Sequence, residues 1–117
     1  MTNRAGCTTI IGIMTPTEAF AALQAGASAL KLFPSALIGV NGFKALREVL
    51  PPQTQCFAVG GIHPTVESMQ PWFEADIAGY GIGTGLFQPD FTPAQNAQNA
   101  QFYMEAWSQV NRSEQRL

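Results

Sequence analysis

The chain has 117 residues, 46% of them hydrophobic and 12% charged, with a formal net charge of -2. That length holds one domain, residues 1–117, and the hydrophobic share excludes a disordered or fibrous chain. Six scattered Lys and Arg exclude the basic stripe that nucleic acid demands, and a charge content near half of the typical ~25% leaves apolar surface for a partner.

Met1 to Gly6 are polar, with no apolar segment or small-residue cleavage site behind them. Apolar runs break at Gly, Pro or Lys before ~18 residues, the length of a credible membrane span. A cytoplasmic protein with no membrane contact is expected. Cys7, Cys56 and the single His63 lack zinc-ligand spacing. No metal is expected, and both cysteines read as buried thiols in a reducing compartment.

A β-branched run, Thr8 to Ile13, predicts the first strand. In Thr15-Pro16-Thr17-Glu18, Thr15 suits a helix cap, Pro16 the first turn and Glu18 the reciprocal half of a capping box. Ala19, Phe20, Ala22 and Leu23 then recur at helical spacing, and Gly26 marks the stop. The next unit repeats this grammar: strand-like Ala29 to Phe33, a Pro34-Ser35 break, and a helix from Gly42 to Leu50 that ends at Pro51-Pro52. Cys56 to Val59 predicts a third strand, followed by Gly60-Gly61 and a helix opened by Pro64, with Val66, Met69 and Phe73 on its apolar side. Ile77 to Ile82 predicts a fourth strand running into Gly83-Thr84-Gly85. A last helix carries Ala97, Ala100, Phe102, Met104 and Trp107 before a polar tail from Asn111 to Leu117.

Four strands alternating with four helices predict a parallel sheet with right-handed crossovers. A closed (β/α)8 barrel takes at least ~200 residues, so an α/β half-barrel of four units is expected. A small open flavodoxin-like sheet is the competing layout. Trp72, Phe73, Phe102 and Trp107 are read as core.

Lys31 interrupts an apolar strand, and alternation turns it away from Leu30 and Leu32, onto the face shared by Ala29 and Phe33. An amine held in apolar surroundings loses part of its preference for the charged form and becomes a nucleophile toward a ketone. The bland reading is an edge-strand lysine that blocks aggregation. Lys44 lies beside Arg47 and Glu48 and reads as a solvated charge, Glu18 as a cap, and His63 as a polar loop residue.

Gly60-Gly61 and Gly83-Thr84-Gly85 each follow a strand and precede a helix. Bare backbone N–H groups in such loops suit an anion, and Thr84 adds a hydroxyl. Tight turns alone would also ask for glycine. In barrels, the loops after the seventh and eighth strands often hold phosphate, which would put Lys31 on the sixth.

The stretch Ala29-Leu30-Lys31-Leu32-Phe33-Pro34-Ser35 resembles the imine-forming motif of the 2-keto-3-deoxy-6-phosphogluconate and 2-keto-3-deoxy-6-phosphogalactonate aldolases. The resemblance continues through Thr15 to Phe20, Ala25-Gly26-Ala27, Lys44-Ala45-Leu46, Val59 to Ile62 and Gly81 to Phe87. It implies the C-terminal half of a TIM barrel that cleaves a six-carbon phosphorylated keto acid to pyruvate and glyceraldehyde 3-phosphate, with no metal or other cofactor. Lys31 would be the nucleophile. Phe33 would pack near the keto acid, and Gly60, Gly61, Gly83 and Thr84 would hold the phosphate. Ser35, the Gly39 spacing and Leu86-Phe87 are more similar to the phosphogalactonate branch. The resemblance also implies a homo-oligomer, commonly a trimer.

Two departures stand out. Ile11-Gly12 replaces the family's usual Pro-Gly, and Thr84 stands where serine is commoner. The family's general-base glutamate and carboxylate-binding arginine belong to the first half of the barrel. A non-catalytic half-barrel that binds phosphate or self-associates through open strand edges is the rival reading.

Overall fold

The computed structural model describes residues 5–115, with side chains described to Val110. The polar opening at residues 1–4, the last two residues and the side chains of the expected tail lie outside the described residues. The elements run β1 (Ile10–Ile13), α1 (Pro16–Gln24), β2 (Ala29–Leu32), α2 (Ser35–Val49), β3 (Cys56–Val59), α3 (Val66–Glu74), β4 (Gly79–Gly81) and α4 (Pro93–Gln115).

The strands lie in the order β1-β2-β3-β4, and each neighbouring pair is parallel. A doubly wound sheet reverses its strand order at a switch point. Here the order is sequential, which is the wall of a barrel and rejects the flavodoxin-like alternative. Alternation divides the wall. Leu30, Leu32, Cys56 and Ala58 are all at most 1% exposed and face the helices, where Phe43, Leu46, Trp72 and Val110 complete one cluster. Each fully buried Leu or Phe contributes roughly 1.5–3 kcal/mol.

Helix ends explain how short loops carry the chain back to the sheet. The Thr15 hydroxyl accepts from the Glu18 N–H, and the Glu18 carboxylate accepts from the Thr15 N–H, closing the expected capping box. At the other end of α1 the N–H groups of Gly26 and Ala27 donate to the Leu23 and Ala22 carbonyls, with Gly26 at φ 96°. This is a Schellman stop. α3 ends the same way, with Asp76 and Ile77 donating to Phe73 and Trp72, but Asp76 itself takes the left-handed position at φ 73°.

Several expectations are corrected. α2 starts at Ser35, well before Gly42, because Ser35 to Ile38 form a helical segment of their own that is interrupted at Gly39 (φ 75°, ψ 163°). α3 opens at Val66 under a Thr65 cap, two residues past Pro64. β1 and β4 are shorter than expected, and α4 continues through Asn111 to Gln115. Its buried stripe is Tyr103, Ala106 and Val110, whereas Phe102 and Met104 are exposed. Cys56 is buried as expected, but Cys7 is exposed.

Candidate active site

β2 is hydrogen-bonded on both sides, so Lys31 stands on an interior strand and the edge-strand explanation fails. The register aligns Gly12, Lys31, Phe57 and Gly79 in one row on the face turned away from the helices. Two large side chains stand side by side with a glycine flanking each. A Cβ on Gly12 would sit 4.0 Å from Lys31 Cδ, and one on Gly79 would sit 3.0 Å from the Phe57 ring. The small residues give the large ones room to lie across the wall.

Lys31 is half-buried, and its Nζ lies 4.7 Å from the centroid of the Phe33 ring. The apolar surroundings expected for the amine are therefore only partial on this face. The amine opens into a recess of about 300 Å³ formed with Gly12, Ile13, Met14, Glu18 and Phe33. Glu18 is committed elsewhere. Its Oε1 accepts from the N–H groups of Met14 and Thr15 and from the Thr15 hydroxyl. These bonds, the Met14 N–H first, hold its carboxyl below the usual range, which makes it a weak proton acceptor.

The two glycine loops meet in a neighbouring cleft of about 390 Å³, bounded by Phe33, Gly60, Gly61, His63, Gly83 and Thr84 among others. All five residues expected to bind substrate thus line one space. Phe33, 48% exposed, borders both this cleft and the lysine recess. The β2 end is tied to the β3 loop, because the Gly60 carbonyl accepts from Ser35 Oγ at 2.6 Å and from the Ala36 N–H at 3.2 Å.

The helix termini are not where the sequence suggested. α3 and α4 begin several residues beyond the glycines, and Gly83 to Phe87 instead form a tight turn in which the Leu86 and Phe87 N–H groups donate to the Gly83 carbonyl. The N–H groups of Gly61, Thr84 and Gly85 have no backbone acceptor among the described residues. An anion here would meet bare loop amides, the arrangement called a nest, without the end of a long helix dipole.

Most glycines of the cleft are required by the protein itself. Gly60 and Gly61 have φ of 94° and 83°, and a Cβ on Gly61 would lie 2.7 Å from the Ala36 Cβ. A Cβ on Gly81 would lie 2.7 Å from Val59, and one on Gly85 would fall on the Tyr103 hydroxyl. Gly83 differs. It has no left-handed φ, and nothing lies within 4 Å of a Cβ placed there. Gly83 lines the cleft.

The cleft also carries the polar side chains of His63 and Tyr103, which the sequence does not mark as site residues. His63, expected as a polar loop residue, is exposed at the rim. Tyr103 carries only a weak sequence signal, a tyrosine at helical spacing with Ala106 and Val110. Lys44 is exposed on α2 as expected. Among the described residues no group of three or more His, Cys, Asp or Glu is placed to hold a metal, and no helix is long and apolar enough to cross a membrane.

A half-barrel wall with an interior lysine beside a glycine-built cleft is the layout of a barrel aldolase. The sequence matches the family model described as KDPG and KHG aldolase over residues 2–101, and the chain belongs to that family. It is 42% identical over 105 residues to the 2-dehydro-3-deoxy-6-phosphogalactonate aldolase of Escherichia coli (strain K12), a match covering 90% of this chain and 50% of that protein. A solved structure described as native KDPGal superposes with a TM-score of 0.86 at 41% identity, covering 92% of this chain and 51% of the other. A protein cage designed by fusing symmetric oligomeric domains gives 0.89 at 40% identity, over 95% of this chain and 40% of that one. The chain spans about half the length of the curated relatives it matches.

Proposed function

We propose that residues 1–117 act as the C-terminal half of an aldolase barrel, with Lys31 as the imine-forming amine for 2-dehydro-3-deoxy-6-phosphogalactonate. The observation that carries this reading is the adjacency of the Lys31 recess to the glycine cleft across the Phe33 ring. A phosphorylated keto acid carries a carbonyl for one space and a phosphate for the other.

In the reaction the neutral amine adds to the keto carbon, and loss of water with uptake of one proton gives the protonated imine. A base takes the proton of the hydroxyl two carbons away, and the C3–C4 bond breaks. Its electrons pass into the iminium to give an enamine instead of a bare carbanion. Glyceraldehyde 3-phosphate leaves; protonation and hydrolysis of the enamine release pyruvate and free the lysine. Gly60, Gly61, Gly83 and Thr84 hold the phosphate, and no metal takes part. The carboxyl below its usual range at Glu18 argues against its serving as the base, a role the resemblance assigns to the other half of the barrel.

Borohydride reduction with pyruvate tests the assignment, with peptide mass mapping as the readout. A pyruvate-derived mass on the peptide holding Lys31 is expected, whereas no adduct, or one on Lys44, rejects it. The name of the Escherichia coli relative favours the galactonate-derived substrate over the gluconate-derived one, and a coupled assay on both separates them. A second reading, phosphate binding without turnover, is favoured by the engagement of Glu18 in its cap. It predicts an adduct with no cleavage.

A homo-oligomer, trimeric as in the resembling family, belongs to the same proposal. Phe20, Leu37 and Val49 are exposed around an apolar groove of about 540 Å³ between α1 and α2, and the designed cage shows a similar chain used as a symmetric oligomeric domain. A monomer by sedimentation would reject it. The exposed free thiol at Cys7 suits the reducing cytoplasm in which we place the reaction.

A further inference from the structure

The two loops of the cleft are joined through α4. Tyr103 is 7% exposed and donates from Oη to the Ile62 carbonyl at 2.6 Å. The same hydroxyl occupies the space that a Cβ on Gly85 would need. One side chain therefore touches the loop after β3 by a hydrogen bond and the loop after β4 by direct contact. One turn earlier, Asn99 Nδ2 donates to the Leu86 carbonyl at 3.3 Å, so α4 grips the second loop twice. Burial raises the Tyr103 phenol above its ordinary value, which keeps it a neutral donor.

Backbone amides cannot re-aim themselves as a long side chain can, and glycine loops lose more freedom on ordering than any others. Binding an anion on them is strong only if they are fixed beforehand. Resting on the phosphate reading above, we infer that Tyr103 is a positioning residue that fixes the span between the amides of Gly61 and of Thr84-Gly85, and so favours a phosphate monoester over an unphosphorylated ligand.

The experiment is Tyr103→Phe in the full chain, titrated with inorganic phosphate by amide NMR, with pyruvate trapping at Lys31 in parallel. Losing one hydrogen bond should weaken phosphate binding about three- to tenfold. The resonances of both loops should move before ligand is added, while the pyruvate adduct falls by less than about twofold, well under the hydrogen-bond effect. Equal losses in both arms mean a general folding defect and overturn the inference, as does unchanged phosphate affinity.

Gly85→Ala gives an independent test. Alone it drives a methyl onto the hydroxyl and should weaken phosphate binding. In the double variant with Tyr103→Phe the nearest ring atom, Cζ, is 3.3 Å away, so phosphate affinity should recover above that of Gly85→Ala alone. Additive losses contradict the coupling. A wild-type chain that takes up no phosphate overturns the phosphate reading itself, a result seen before any variant is made.

Discussion

Gly83→Ala separates a glycine kept for the ligand from glycines kept for the fold. At Gly83 a Cβ meets nothing within 4 Å and no left-handed φ is required, so alanine should leave the folded state unstrained. By restricting the unfolded chain it should even stabilise by about 0.4–1 kcal/mol. Gly61→Ala is the contrast. Its φ of 83° costs about 1–2 kcal/mol for a residue with a Cβ, and the 2.7 Å approach to Ala36 adds about 1–3 kcal/mol of overpacking. Urea unfolding followed by the fluorescence of Trp72 and Trp107 measures both. Calorimetric titration with phosphate should then show Gly83→Ala well folded yet at least about tenfold weaker, a loss of about 1.4 kcal/mol. Wild-type affinity in a folded Gly83→Ala, or a chain destabilised as badly as Gly61→Ala, would refute the claim that Gly83 is kept for the ligand.

Asp76→Gly should raise stability by about 1 kcal/mol in the same urea assay, because Asp76 holds a left-handed φ of 73° that glycine adopts without strain. Little is forfeited: its 3.8 Å contact with Arg47 involves a side chain 89% exposed, and such pairs contribute almost nothing. Glu18 should give an acid limb to stability. Its native carboxyl lies below the ordinary value, so its contribution is complete above that value and is lost as pH falls through the lowered one. Glu18→Gln should flatten that limb in acid unfolding followed by circular dichroism; an identical limb in both proteins would contradict the capping assignment.

The local signals in the sequence translated well where chemistry and geometry are the same thing. Thr15 to Glu18 could hardly be other than a helix start, and Gly26 a stop. Lys31 revealed its face by alternation, but not its neighbours: whether β2 is an edge or an interior strand depends on register with β1 and β3, which are far apart in the chain. The helical segment from Ser35 to Ile38 stayed hidden because Pro34 and Gly39 bracket it with residues that read as a loop. Asp76 shows the same limit from the other side, as a non-glycine residue in a glycine position is set by the Schellman bonds around it. Tyr103 shows little sign of a site residue in the sequence, because the carbonyl it bonds belongs to Ile62, 41 residues away. The five expected binding residues did converge on one cleft, while the helix ends expected to charge it stand farther off.

The central claim is that imine chemistry at Lys31 and phosphate binding at the glycine loops form one site. A crystal structure of the borohydride-trapped protein grown with pyruvate and phosphate tests it most directly. Continuous density is expected from Lys31 Nζ to the three-carbon adduct on one side of Phe33, with phosphate on the amides of Gly61 and Thr84 on the other. Adduct density on a different lysine, or phosphate bound away from both loops, would contradict it.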